Sequence, residues 1–232
     1  MPLTLGFDTA TADTAVAVVG AGDPIESIRG PDPGGRPAHA TALLPAIEAA
    51  VATAGGWNEI GLIAVGVGPG SFTGLRIGVS TARALAQARG LPIAGVSTLA
   101  ALASALGDAP EAAGRSRLAV IDARRGEVFV ALDAGSGIAE PVVCPPGEIA
   151  GSLGSGAVSG ALAAGDGSLR FRSEIEAAGI EVLPDVHPAH RLSARRVCLL
   201  GAEMMTQDPE QIRPMYLRRP DAERWLERDR RN

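Results

Sequence analysis

One stretch constrains this chain more than any other. An apolar run, Ile60 to Val67, leads into Gly68-Pro69-Gly70-Ser71-Phe72-Thr73-Gly74, and a helix-like run, Leu75 to Arg89, leads out. The first run reads as a buried strand. Strand, glycine turn and helix start in that order form a common anion site. Glycines let backbone approach a ligand, and a helix N-terminus points free N–H groups and a positive dipole end at it. Gly68, Gly70, Ser71, Thr73 and Gly74 are therefore phosphate-loop candidates, and Ser71 and Thr73 are each placed to cap the helix. The loop is not a Walker loop, which needs Gly-Lys-Ser/Thr, because the chain contains no lysine. Nor is it the dinucleotide fingerprint, since Leu91 to Val96 ends without an acidic residue. Spacing alone fits a plain tight turn as well as an anion loop. If Gly74 has a positive φ, alanine there should cost about 1 kcal/mol or more.

The elements around this stretch come in a telling order. Leu3–Phe7, Thr14–Val19 and, more weakly, Pro24–Arg29 read as an antiparallel meander. Ala38–Ala54 is helix-like, with Leu43, Ile47 and Val51 recurring every fourth residue, and Pro45 predicts a kink or a shifted start. After the glycine turn and its helix come a short strand near Ile93–Val96 and a third helix, capped by Ser97, through Leu106. Three meander strands followed by helix, strand, helix, strand, helix is the order of a ribonuclease-H-like lobe. Two such lobes make the α/β architecture shared by actin, Hsp70 and sugar kinases. The first lobe is expected over residues 1–106. A polar stretch at 107–116 marks the boundary, and a smaller, degenerate second lobe follows over 107–217. Leu118–Ile121 and Val128–Leu132 read as its opening hairpin. The last helix, near Leu192–Met205, is expected to pack back on the first lobe. Residues 218–232 alternate Arg with Asp and Glu like a solvated tail. No internal repeat is visible.

Composition excludes some functions. Apolar residues make up 46% of the chain, enough for a core, but aromatics are only 3%, so that core must be aliphatic. A formal charge of −5 argues against binding nucleic acid alone through a broad basic surface. Cys198 reads as a helix core residue and Cys144 as a loop residue, with no disulfide expected between them. Nothing resembles an export signal or reaches transmembrane length, so the expectation is a cytoplasmic protein.

The string Gly-Pro-Gly-Ser-Phe-Thr-Gly-Leu-Arg-Ile-Gly closely resembles the signature of the bacterial TsaB family, partners of TsaD in making threonylcarbamoyladenosine on tRNA. Leu5-Gly6-Phe7-Asp8-Thr9 and His39 with Leu43-Leu44-Pro45-Ala46-Ile47 resemble its earlier blocks. Asp122 to Phe129, Gly165-Asp166-Gly167 and Pro214 to Arg218 resemble later ones. The resemblance implies a non-catalytic subunit that supports TsaD in threonylcarbamoyl transfer to adenosine 37 of tRNA. The ATPase TsaE joins the pair, and tRNA is met only through the complex. It further implies no cofactor for the isolated chain, possible ATP or ADP at the complex interface, and possible homodimerisation when alone. TsaD carries a His-x-x-x-His metal pair where this chain has Thr98 and Leu102, and neither replaces imidazole, so no metal is expected.

Individual residues leave alternatives open. Asp8 either contacts metal-nucleotide or bonds its own turn, and the latter is favoured because no glycine follows Asp8-Thr9. Asp122, Arg124, Arg125 and Glu127 form either a functional charged hairpin or a solvated turn. Asp166 belongs either to a nucleotide-contacting turn or to a common Asp-Gly turn. His187-Pro188-Ala189-His190 reads as loop, and His39 as a cap or contact. For docking, the helices at 38–54 and 75–89 are the candidates, through Leu43, Ile47, Arg76, Val79, Ala82, Arg83 and Ala86, with Ala84 and Ala88 among the small residues that permit close approach. Glutamate at Ala82 or Ala86 is expected to weaken TsaD binding without unfolding in at least one case. The rival functions are an ATP-dependent small-molecule kinase of the same architecture and a metallopeptidase.

Overall fold

The computed structural model describes residues 2–218. The charged run expected at 218–232 lies, but for Arg218, outside the described residues. Two five-stranded mixed sheets share one topology. The first comprises β1 (Leu3–Asp8), β2 (Thr14–Val19), β3 (Ile25–Arg29), β4 (Ile60–Gly68) and β5 (Ile93–Ser97), in the order β3-β2-β1-β4-β5. β1 and β3 flank β2 antiparallel, while β4 runs parallel to β1 and to β5. The second comprises β6 (Arg117–Arg124), β7 (Glu127–Asp133), β8 (Val142–Cys144), β9 (Leu162–Ala164) and β10 (Glu181–Val182), in the order β8-β7-β6-β9-β10. Its pairings repeat those of the first sheet strand for strand. These are the two ribonuclease-H-like lobes. The second is degenerate in strand length, since β8 and β9 have 3 residues and β10 has 2. Cys144 therefore ends a strand rather than lying in a loop.

Side-chain size along the strands decides what covers each face. Leu5, Phe7, Val16, Val18, Ile63 and Val65 point to one side, where they form the main core with α1 (His39–Thr53) and α2 (Phe72–Arg89). The other side carries Gly6, Ala15, Ala17 and Ala64, small enough for α8 (Ala194–Glu203) to lie close. A Cβ at Gly6 would come 2.5 Å from the Cys198 sulfur, and one at Gly201 would come 2.5 Å from Ala64 Cβ. The helix that ends the second lobe thus seals the first. α1 continues through Pro45, whose missing N–H falls on the exposed side of the helix.

α3 (Thr98–Leu106), capped by the Ser97 hydroxyl, sits between the sheets. Its Leu99 and Leu102 pack with Ala119, Ile121, Phe129 and Ala131 on the inner face of the second sheet. The outer face, Leu118, Val120, Val128 and Val130, is covered by short helices, including α4 (Ile149–Leu153), α5 (Ser155–Val158) and α7 (Arg172–Ala177). Both cysteines are buried free thiols, and the Cys198 S–H donates to the Thr4 carbonyl at 3.3 Å.

Candidate functional site: the cleft between the lobes

The carboxyl ends of β1, β4, β6 and β9 all face one cleft of about 770 Å³. In open α/β sheets the crevice beyond the strand carboxyl ends is where ligands bind. Its walls bring together segments far apart in sequence. They are the turn at 10–12, the signature loop at 70–73 with Arg76, the charged hairpin at 122–125, Asp166 and residues 215–218. Ser71, Thr73, Gly70 and Asp166 thus line one space with Asp122, Arg124 and Arg125. Glu127 stands just beyond, paired with Arg218.

The glycines of the signature loop make room for the chain's own backbone and side chains. Gly74 lies within α2 and is not among the residues of positive φ. What it needs is space, because a Cβ there would sit 1.9 Å from the Thr9 carbonyl oxygen and 3.3 Å from His39 Nε2. A Cβ at Gly70 would meet the Ala10 carbonyl oxygen at 2.4 Å, and one at Gly78 would meet Thr9 Oγ1 at 2.4 Å. The Ser71 N–H donates to the Ala10 carbonyl at 2.7 Å, and Thr9 Oγ1 donates to the Gly74 carbonyl at 2.7 Å. The chain's own Thr9–Ala10 turn therefore occupies the inner side of the loop. Only Gly68 has the left-handed φ, 106°, with Leu75 and the Met215 carbonyl against it. Ser71 is the cap, accepting from the Gly74 N–H at 3.3 Å, while Thr73 stays exposed in the cleft wall.

Asp8 lies behind this wall with no exposed surface. One oxygen accepts from the Ala10 N–H at 2.6 Å and the other from the Thr98 hydroxyl at 2.8 Å. Thr98 Oγ1 in turn accepts from the Gly68 N–H at 3.1 Å. Asp8 thus bonds its own turn, the reading favoured from sequence, and its carboxylate also ties that turn to α3. Gly66 exists for it, since a Cβ there would fall 1.8 Å from an Asp8 oxygen. His39 is a contact residue, its Nδ1 2.8 Å from Thr14 Oγ1 and its Nε2 3.1 Å from the Thr11 carbonyl. His190, in a short 3-10 turn, has both ring nitrogens on buried partners, including the Gly165 N–H and the Leu183 carbonyl.

In the second lobe the hairpin is a two-residue turn at Arg125-Gly126 with a register shift after Asp122. Arg124 and Arg125 take φ of 65° and 59°, a region that costs an L-residue about 1–2 kcal/mol. Asp122 carries an ion pair to Arg124 at 3.1 Å and one to Arg170 at 2.8 Å. Its N–H donates to Asp166 at 3.0 Å. Asp166 opens α6 (Asp166–Arg170) as the counterpart of the signature loop in the repeated topology. Burial pushes its carboxyl up to about 6, helped by the Asp122 charge and opposed by the Asp122 N–H and Arg124. Burial likewise raises Asp8 to about 6, against the hydrogen bonds from Ala10 and Thr98.

These shifts carry a sign. Unfolded, both carboxyls ionise near the ordinary 3.8, and folded, near 6. Below the unfolded value both states are protonated and the groups contribute their full stability. That stability is lost as pH rises through the folded value and the fold must hold buried charge. Asp166, partly exposed at the cleft floor, contributes less. Asp8→Asn should therefore flatten the fall in stability between about pH 4 and pH 7.5 by about 2 kcal/mol. Urea midpoints at the two ends of that range check it, and an unchanged slope would mean that Asp8 is ionised without penalty.

The docking candidates separate sharply. Leu43, Ile47, Val79, Ala82 and Ala86 are all buried in the first lobe's own core, which overturns their assignment to a docking face. Arg83 is half-buried. Arg76 is exposed, its guanidinium 4.0 Å over the Phe72 ring and its Nε donating to the Tyr216 hydroxyl at 3.4 Å. The Phe72–Tyr216 contact (ring centroids 5.1 Å apart) escaped sequence reasoning because 140 residues separate Arg76 from Tyr216. The outer faces of the two helices include Ala40, Leu44 and Glu48 on α1 and Ser80, Ala84 and Ala88 on α2, each set at four-residue intervals.

Comparison with known proteins agrees with this architecture. The sequence model of the family described as TsaD, tRNA N6-adenosine threonylcarbamoyltransferase, matches residues 35–182. An uncharacterized protein of Mycobacterium tuberculosis is 35% identical over 187 residues, 80% of this chain and 77% of that one. The tRNA threonylcarbamoyladenosine biosynthesis protein TsaB of Escherichia coli is 44% identical over 93 residues, 39% of each chain. The solved structure of YeaZ from Pseudomonas aeruginosa is similar with a TM-score of 0.75 at 26% identity, covering 94% of this chain and 100% of that one.

Proposed function

The chain belongs to the TsaB/YeaZ family of tRNA threonylcarbamoyladenosine biosynthesis proteins, and from that premise we propose that it is a non-catalytic subunit that docks on a TsaD homologue and supports its transfer reaction. The observation that carries this reading is the use made of the positions a metal would need. Thr98 spends its hydroxyl between Asp8 and the Gly68 N–H, and Leu102 is core hydrocarbon. Neither offers an imidazole nitrogen, and the Thr98 oxygen is already engaged on both sides. A nucleotide polyphosphate fits no better. Asp8, Ala10 and Thr9 fill the space beside Gly66, Gly70 and Gly74. Any ATP or ADP of the complex then belongs at the interface with the partner, away from the inner side of the loop.

Docking falls to the uncovered outer faces of α1 and α2. Small residues at Ala40, Ser80, Ala84 and Ala88 permit close helix approach, and Leu44, 52% exposed, supplies an apolar anchor. The same face serves a homodimer when TsaD is absent, and in the complex TsaE and tRNA are met through the pair. No helix among the described residues is long and apolar enough to cross a membrane, and the proposed place of work is the cytoplasm. The test is co-purification with a TsaD homologue, followed by threonylcarbamoyladenosine formation on tRNA with both proteins and with each alone. Product is expected only from the pair. Steady turnover by this chain alone would sink the proposal.

A further inference from the structure

The segment that follows α8 crosses the first lobe and ends on the second. Three points hold it to the first lobe. The Gln207 N–H donates to the Ile93 carbonyl at 2.9 Å, on the edge strand β5. Ile212 is 1% exposed, inside the first lobe's main core. The Met215 N–H donates to the Val67 carbonyl at 2.6 Å, where β4 runs into the signature loop. Tyr216 then rests against Phe72 and accepts from Arg76. One residue further on, the chain reaches the opposite wall of the cleft. Leu217, half-buried, packs against the cluster that contains Ala123 and Phe129 of the second sheet. Arg218 donates to the Ala123 carbonyl at 3.0 Å and pairs with Glu127. Residues 215–218 therefore line the cleft between the signature loop and the charged hairpin.

The two grips differ in kind. The first uses backbone hydrogen bonds and a fully buried side chain, the contacts that local opening breaks last. The second uses one half-buried leucine and an arginine on an ion pair whose Glu127 side is 38% exposed. Such a pair contributes little and is screened by salt. The lobes are otherwise joined by two backbone crossings, at 107–116 and 188–193, and by the packing of α3. Relative motion is the default for two units linked in this way. A contact that bridges the cleft opposes that motion, and one with a strong and a weak end can let go at the weak end alone.

We propose that residues 204–218 form a latch on the inter-lobe cleft. Gln207, Ile212 and Met215 fix it to the first lobe, Leu217 and Arg218 hold the second, and release of those two residues lets the cleft widen. The latch sets how much of the cleft a ligand can reach. It is separate from the outer faces of α1 and α2 and stands or falls independently of docking there.

The experiment measures the distance between the lobes by double electron–electron resonance on the full-length chain. Spin labels are placed on Thr41→Cys in α1 and Ser173→Cys in α7, both exposed positions, while the two native thiols are buried. One narrow distance distribution is expected from the labelled parent. Leu217→Ala/Arg218→Ala should add a second, shifted distance that the parent lacks. Glu210→Ala, at an exposed position in the same segment, should leave the distribution unchanged. Amide exchange at Gln207 and Met215 should stay as slow in the double variant as in the parent. That separates release of the weak end from loss of the whole segment. An unchanged distribution in the folded double variant overturns the proposal. So does a shift accompanied by fast exchange at Gln207 and Met215, or an equal shift in Glu210→Ala. Should the double variant fail to fold, Arg218→Ala alone carries the same test with the same outcomes.

Discussion

Gly74→Ala is expected to destabilise the fold by about 3 kcal/mol or more, at the upper end of overpacking costs, because the added methyl meets backbone and not a movable side chain. A Cβ at this position would stand 1.9 Å from the Thr9 carbonyl oxygen. That carbonyl belongs to the turn whose Thr9 hydroxyl is bonded back to Gly74 and whose next carbonyl accepts the Ser71 N–H. Relief would require the whole turn to withdraw from α2. Helix propensity works the other way, since alanine is better than glycine inside a helix by about 1 kcal/mol. Gly151→Ala provides the control: it is helical and nothing lies within 4 Å of the added Cβ. Denaturant midpoints should show a large loss at position 74 and a slight gain at 151. Equal, small effects at both would mean that the Thr9–Ala10 turn yields easily.

Ala82→Glu should unfold the chain, as should Ala86→Glu. These side chains are 0% and 1% exposed, in the core that joins α2 to β1 and β4. A carboxylate there has no partner among the apolar neighbours, and leaving a buried charge unpaired costs several kcal/mol, comparable with the entire stability of a domain. Ala84→Glu lies two residues on, on the exposed side. It should melt like the parent and bind a TsaD homologue about tenfold or more weakly, because its charge is desolvated only when a partner helix approaches. Circular dichroism separates the two outcomes, and binding is then measured on the folded variant. If Ala84→Glu and Leu44→Glu both bind as the parent does, the outer face of α1 and α2 is not the docking surface.

The contrast between positions 82 and 84 shows where sequence reasoning stopped. Periodicity identifies that α2 has an apolar stripe. The same stripe serves a chain's own sheet or a partner equally well, and nothing local distinguishes them. Burial resolves it: the stripe is spent inside the lobe, and the side left open to a partner is the opposite one, which carries Ala84 and Ala88. The internal repeat shows the same limit. Residue by residue the two lobes share no visible pattern, yet their pairings coincide strand for strand. Topology tolerates almost any side chains that keep the inward faces apolar.

By itself the sequence determined the family, the meander-then-βα order of the first lobe, the position of the signature turn and the Ser97 cap, while Ser71 and Thr73 stayed equal candidates for the other cap. The family rests on a resemblance of blocks spread from Leu5 to Arg218; the rest follows from spacing within about a dozen residues, where local sterics and hydrogen bonding decide. Only the tertiary structure decided what the glycines are for. It closed the signature loop over Thr9 and Ala10 and sealed Asp8 against Thr98. It also set the 122–125 hairpin across a cleft from Phe72 and Tyr216. Each of these contacts spans tens of residues or more. Such contacts exist because two sheets and the helices between them bury their apolar faces together, a condition on the whole chain that no short stretch carries.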